Sequence, residues 1–259
     1  MNNSLCYGTM NLDFRGVNAN FMDFQVAGLR AIGEAYRSIV SGRAEAVLAG
    51  GLSTPVEPSQ VSEWVQLGQL AATCHLDSAD QVVKPYDKAR SGTILSEGSA
   101  YLFLEDEQHA VKRGAKILGR VLGFGMSGDG AIHLAKHHRA PGLVRALKLA
   151  EREAGIGAKD LGAIVGHANG SLFADGAEAD AYVEYLGAAA GQVPVTSPKG
   201  LIGDLCEAGG VVGSILAIDA LARNEVAGTA NFSAGDEHSA RLAISPTAQP
   251  LKQKKIAVT

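Results

Sequence analysis

Two helices that are apolar on more than one face set the strongest limit on how this chain can fold. The pattern predicts one from Val26 to Val40, closed by Ser41-Gly42, and one from Glu207 to Ala222. The first carries Val26, Leu29, Ile32, Ala35 and Ile39. The second carries Val211, Val212, Ile215, Leu216 and Ile218. A helix apolar all round is buried, between two sheets for example. Both open with Ala-Gly, follow a loop and precede a strand. This weak internal repeat fits two similar halves placed back to back, or two unrelated core helices.

The remaining pattern alternates strands and helices, which argues an α/β fold with largely parallel pairing. Strands are predicted at Val17 to Phe24, Ala46 to Ala49, Ser99 to Leu104, Ile117 to Phe124, Ile164 to His167 and Val193 to Thr196. Ala227 to Phe232 and Ala240 to Ile244 read as a closing strand pair. Helical segments are predicted at Pro58 to Leu67, Gln108 to Arg113, Leu143 to Gly155 and Ala177 to Tyr185.

With 259 residues the core can be ample, in one large domain or two smaller ones. A net charge of −4 implies no general affinity for polyanions, so no nucleic-acid partner is expected. Cys6, Cys74 and Cys206 show no paired spacing, which fits a reducing, cytoplasmic setting better than a disulfide scaffold or a zinc site. No apolar run reaches spanning length, so no membrane association is expected. No cofactor or metal is expected either.

Gln25 lies in Phe24-Gln25-Val26-Ala27-Gly28, where an apolar run turns into a helix. A strand-to-helix elbow commonly presents a nucleophile, yet a primary amide is a poor one. Gly123 to Gly128 matches G-x-G-x-x-G, but no convincing helix start follows and no acidic residue ends a second strand at the right distance, so a dinucleotide site is rejected. Lys136-His137-His138-Arg139 reads as a solvated basic loop, with docking of an acidic carrier protein as the alternative. Cys206 reads as a buried core thiol. Trp64 reads as ordinary packing or part of an interface.

Several motifs together resemble the ketosynthase family. Asp87-Lys88-Ala89-Arg90-Ser91-Gly92 followed by Ser96-Glu97-Gly98 is similar to its Asp-x-x-Arg-x-Gly signature and the turn after it. Tyr101 to Ala115 and Leu122 to Asp129 resemble its next strand, helical turn and the opening of its C-terminal half. His167-Ala168-Asn169-Gly170-Ser171, with Asp175 and Glu178, resembles the first histidine motif, although Thr is usual where Asn169 and Ser171 stand. Lys199 to Asp204 and Ala208-Gly209-Gly210 resemble the second. The resemblance runs from about Asp13 to Ala222.

It implies a thiolase-like layered α/β/α/β/α fold with an incomplete N-terminal half. Residues 1–112 would be the remainder of that half, and residues 113–259 the C-terminal half. It places Gln25 on the nucleophilic Cys, His167 on the first catalytic histidine and Asp204 on the second, all degenerate active-site positions. Lys199 and Glu178 fall on an ordering ion pair, and Ser233, Ala234, Gly235 and Asp236 on an altered gating loop. A relative with Gln at the Cys position resembles a chain-length factor, with no activity expected of it alone. Its implied partners are an active ketosynthase in a heterodimer, the growing polyketide chain at their interface, and acyl carrier protein. The alternatives are a malonyl-thioester decarboxylase, whose relatives keep both histidines, and a free-standing thiolase-type binding module. A shortened relative would leave apolar surface and a sheet edge uncovered. The chain expressed alone is therefore expected to be poorly soluble, and a clean monomer by light scattering would contradict this.

Overall fold

The computed structural model describes residues 3–71, 78–130 and 140–259. Its helices are α1 (Asn3–Asn11), α2 (Ala27–Val40), α3 (Pro58–Gln66), α4 (Glu107–Lys112), α5 (Pro141–Ala154), α6 (Ala174–Leu186), α7 (Lys199–Ile202) and α8 (Gly209–Arg223). The strands are β1 (Ala46–Ser53), β2 (Gly98–Glu105), β3 (Ala163–Val165), β4 (Val195–Thr196), β5 (Glu225–Val226), β6 (Gln249–Pro250) and β7 (Ile256–Val258). β1 and β2 pair antiparallel, from Ala46 opposite Glu105 to Ser53 opposite Gly98. β3 lies between β4 and β7, parallel to both. β5 and β6 form a short antiparallel pair.

Helix α8 is the layer between the two larger sheets. Val211 is fully buried in a cluster with Ile32 and Ala35 of α2, Ala49 of β1 and Ala100 of β2. Two residues on, just over half a turn round the helix, Gly213 faces Val165 of β3 and Val258 of β7. An apolar helix read from sequence is thus a sandwiched one. Helix α2 behaves differently: it buries Ala27, Gly28, Ile32, Gly33 and Ala35 and turns Arg30, Glu34 and Arg37 outward. Its apolar surplus, including Val26 and Val40, is exposed.

Close approach explains why β1 runs through Gly50-Gly51 instead of ending at Ala49. The Glu207 carbonyl lies where a Cβ on either Gly51 or Gly28 would sit. These two glycines let β1 and the start of α2 touch the turn that leads into α8. Inward residues of the β1–β2 pair, including Val47, Leu102 and Leu104, pack on α2 and α8. Its other face leaves Leu48, Leu52, Tyr101 and Phe103 exposed.

Four expected strands do not form. Val17 to Phe24 runs without a ladder, with Val17 78% and Met22 84% exposed, because no described strand lies alongside it. It ends in a 3-10 turn at Phe24–Val26. Ile117 to Phe124 also lacks a ladder. Gly123 instead packs on the backbone of α5 and Phe124 covers Gly33, so helix contacts replace strand pairing. The closing pair is absent too. Ala243 meets Pro194 beside β4, and the Thr229 N–H reaches the Ser245 carbonyl just past the second segment without a ladder forming between the two.

Gly51→Val should force the Glu207 carbonyl and β1 apart, since a Cβ there would lie 2.5 Å from the oxygen. We expect a loss of about 1–3 kcal/mol in urea unfolding. An unchanged midpoint would mean that this contact does not hold the layers together.

Candidate functional site

Two strained turns form the floor of the site. Phe24 has φ of 55° and Cys206 has φ of 43°, a left-handed conformation that side-chain-bearing residues rarely adopt. The 3-10 turn at Phe24–Val26 packs against the one at Cys206–Ala208. Phe24 is braced by stacking on Trp64, 5.8 Å between ring centroids, and Trp64 is buried with Leu95 and Cys206. Trp64 is therefore a packing residue that supports the elbow. Held this way, Gln25 projects toward Asp204.

Asp204 is the centre of the arrangement, and it is fully buried. Its Oδ2 accepts hydrogen bonds from Gln25 Nε2 at 2.8 Å and from Asn169 Nδ2 at 2.7 Å. Its Oδ1 lies 3.0 Å from Lys199 Nζ and accepts the Cys206 N–H at 3.0 Å. Burial pushes the Asp204 carboxyl up, but the Lys199 charge, His167 and the donors from Asn169 and Lys199 outweigh it and hold it below its ordinary range. Lys199 Nζ also lies 3.0 Å from Nδ1 and 3.2 Å from Nε2 of His167. Burial and then that ammonium push His167 below its ordinary value, with Asp204 and Glu178 acting partly against them. Burial and the ammonium both favour the neutral imidazole.

The ion pair expected between Lys199 and Glu178 is not among those of the described residues. Lys199 pairs with Asp204, and the Glu178 carboxylate is filled by other donors. Its Oε1 accepts the His167 N–H at 2.8 Å and the Tyr182 hydroxyl at 2.5 Å. Its Oε2 accepts the Ala168 N–H at 2.8 Å and the Tyr86 hydroxyl at 2.9 Å. Glu178 thus shapes the backbone that carries His167. Asp175 does the same one turn away, accepting the N–H groups of Tyr86, Asn169 and Gly170, and burial pushes its carboxyl up to about 7.

The loop at Ser233, Ala234, Gly235 and Asp236 is tied to the Asp87-x-x-Arg90 turn. Asp87 Oδ2 accepts from the N–H and hydroxyl of Ser233 and from the Ala234 N–H. Asp236 forms a 2.6 Å ion pair with Arg90, which also donates to the carbonyls of Ser171 and Leu172. One arginine therefore links this loop to the segment that follows Asn169. Cys206 is buried, and burial with the Asp204 charge pushes its thiol up to about 12, which agrees with a core thiol. Cys74 and the basic run from Lys136 to Arg139 lie outside the described residues. Among the described residues no cluster of three or more His, Cys, Asp or Glu is placed to hold a metal, and no helix is long and apolar enough to cross a membrane.

Sequence reasoning brought Gln25, His167, Lys199 and Asp204 into one site, and they do meet. It noticed Asn169 only as a departure from Thr, and it missed Tyr86 and Tyr182. Those two hydroxyls reach Glu178 across 92 and 4 residues of sequence. Only the helical spacing of Tyr182 from Glu178 was open to reading.

The family model for the β-ketoacyl synthase N-terminal domain matches residues 9–110, and that for the C-terminal domain matches residues 118–233. Together they take in most of the chain, which belongs to the β-ketoacyl synthase family. The chain is similar to 3-oxoacyl-[acyl-carrier-protein] synthase 2 of Rhizobium meliloti (strain 1021), 34% identical over 84% of the chain and 51% of the relative. The synthase of the same name from Coxiella burnetii is 31% identical over 88% of the chain and 55% of the relative. The chain thus spans about half the length of the curated relatives it matches. Among solved structures, a β-ketoacyl synthase from Burkholderia phymatum STM815 superposes with a TM-score of 0.85 at 28% identity, over 95% of this chain and 58% of that one. The ishigamide ketosynthase/chain length factor gives 0.79 at 27%, over 90% and 55%. The thiolase-like ketosynthase fold is thereby established. One expectation is overturned. The curated relatives are named as synthases, which are catalytic, and they point to an enzyme where no activity was expected of the chain alone.

Removing one member of the buried Lys199–Asp204 pair leaves an uncompensated charge. Lys199→Met should cost about 3–5 kcal/mol, and Lys199→Met with Asp204→Leu much less. The depressed Asp204 carboxyl contributes stability that is complete above the ordinary carboxylate range and is lost as pH falls through its lowered value. Urea melts of the three proteins from pH 7 downward should show the double variant losing less stability with acid than the parent.

Proposed function

We propose that this chain is a chain-length-factor-type subunit of a polyketide synthase. In this reading it pairs with a ketosynthase that carries the nucleophilic Cys. The growing polyketide chain lies in a tunnel at their interface, and acyl carrier protein delivers the substrates. The observation that carries the reading is Gln25. It stands at a strained elbow, where the family resemblance puts the Cys, and its amide is held by Asp204 at 2.8 Å. An amide in that bond fills the place of a thiolate without forming a thioester. The exposed apolar face of β1 and β2 offers a surface for a partner. The similarity to the ishigamide ketosynthase/chain length factor supports the pairing, and the names of the curated synthases support acyl carrier protein as the carrier.

A second reading gives the site its own chemistry: decarboxylation of a malonyl thioester. It is favoured by His167, a neutral imidazole at the position of the first catalytic histidine, and by the catalytic names of the relatives. In that reaction the bond to the carboxylate breaks and carbon dioxide leaves. The electron pair passes into an enolate whose oxygen the imidazole N–H stabilises, and protonation gives the acetyl thioester. No covalent enzyme intermediate is required, so Gln25 is compatible with it. Asp204 disfavours it, because a carboxylate repels both the malonyl group and the enolate.

Co-expression with candidate ketosynthases, followed by size-exclusion chromatography and a polyketide assay with and without this chain, tests the first reading. We expect a co-eluting heterodimer whose product length depends on the chain; separate elution would overturn it. Malonyl-carrier-protein turnover tests the second. His167→Ala should lower it about 100-fold or more, and turnover that survives the change would place the chemistry elsewhere.

A further inference from the structure

Three positions at which the chain departs from the ketosynthase pattern are Gln25, Asn169 and Asp204. Taken one at a time they look like independent losses. In space they meet on one carboxylate oxygen, because the amides of Gln25 and Asn169 both donate to Asp204 Oδ2. The other oxygen takes Lys199 and the Cys206 N–H. A carboxylate held from four directions cannot rotate freely. It fixes the Lys199 ammonium, whose Nζ in turn stands at the face of His167.

We propose that Asp204 is a positioning residue for His167, acting through Lys199, and that Gln25 and Asn169 are the anchors that hold its carboxylate in place. The proposal rests on the reading of His167 as the site's donor to a thioester carbonyl. Without the carboxylate, Lys199 would be a lone buried cation beside an imidazole, with its charge no longer offset there. The charged groups that face His167 are Lys199 from α7, Asp204 from the turn after it, and Glu178 from α6, which also accepts the His167 backbone N–H. Of these, Glu178 holds the backbone and Asp204 holds the cation. Asn169 has a double task, since its Oδ1 accepts the Ser171 N–H and so joins the Asp204 network to the segment held by Arg90.

The titration of the His167 ring, followed by NMR in the full chain, tests this without any assay of turnover. Asp204→Asn keeps the shape but removes the acid that offsets Lys199, so the His167 midpoint should fall by on the order of one pH unit. Gln25→Ala and Asn169→Ala should each move it in the same direction. Their double variant should depart from the sum of the two, because both act on one oxygen. A merely structural role would alter the unfolding midpoint and leave the His167 titration in place. An unchanged His167 midpoint in folded Asp204→Asn would overturn the proposal. If that variant does not fold, the absence of a shift in both Gln25→Ala and Asn169→Ala would overturn it equally. Should the titration move while decarboxylation and product length do not depend on His167, the functional reading fails and the positioning role stands.

Discussion

The buried pair between Asp204 and Lys199 is the interaction on which the rest of this structure depends. Both groups are almost wholly out of water, and an ion taken from water costs several kcal/mol unless it is well compensated. Compensation comes from elements distant in sequence: the elbow before α2, the segment after β3, the start of α7 and the turn before α8. Each must be in register for the carboxylate to be satisfied. The same turn puts the Glu207 carbonyl against Gly28 and Gly51, so the charge network and two close backbone contacts between layers share one location.

That location explains the strain around it. Left-handed backbone at Phe24 and Cys206 persists because the surroundings over-determine it: Trp64 under one turn, Asp204 accepting from the other. Pre-organisation of this kind keeps the groups of the site in place. The Arg90–Asp236 pair, with Asp87 holding Ser233 and Ala234, extends the rigidity to the loop beyond. The result is a ketosynthase framework in which a carboxylate organises the site.

Much of this was legible in the sequence, for particular reasons. Helix α8 announced itself because its apolar residues lie on more than one face, and the structure puts it between two sheets. Local motifs such as Asp87-x-x-Arg90 and the two histidine-motif segments carried the family. The strands at 17–24 and 117–124 were misread because β-propensity measures fit to a neighbouring surface, and neither segment has a described strand beside it. The Lys199–Glu178 pair was misassigned for a similar reason. Motif spacing says which residues come near, whereas the choice of partner follows from which carboxylate is free. Glu178 is filled by backbone and tyrosine donors, so the lysine turns to Asp204. Asn169 was visible only as an exception until its partner was known.

The most direct test of this account is the ionisation of Asp204 itself, followed through the carboxyl carbon by NMR as the pH is lowered. The account predicts that this carbon stays in its ionised position through the range where ordinary carboxyls titrate, and changes only as the fold is lost. A midpoint at or above the ordinary range would contradict it. The carboxylate would then be neutral where Lys199, Gln25 and Asn169 are taken to converge on a charge.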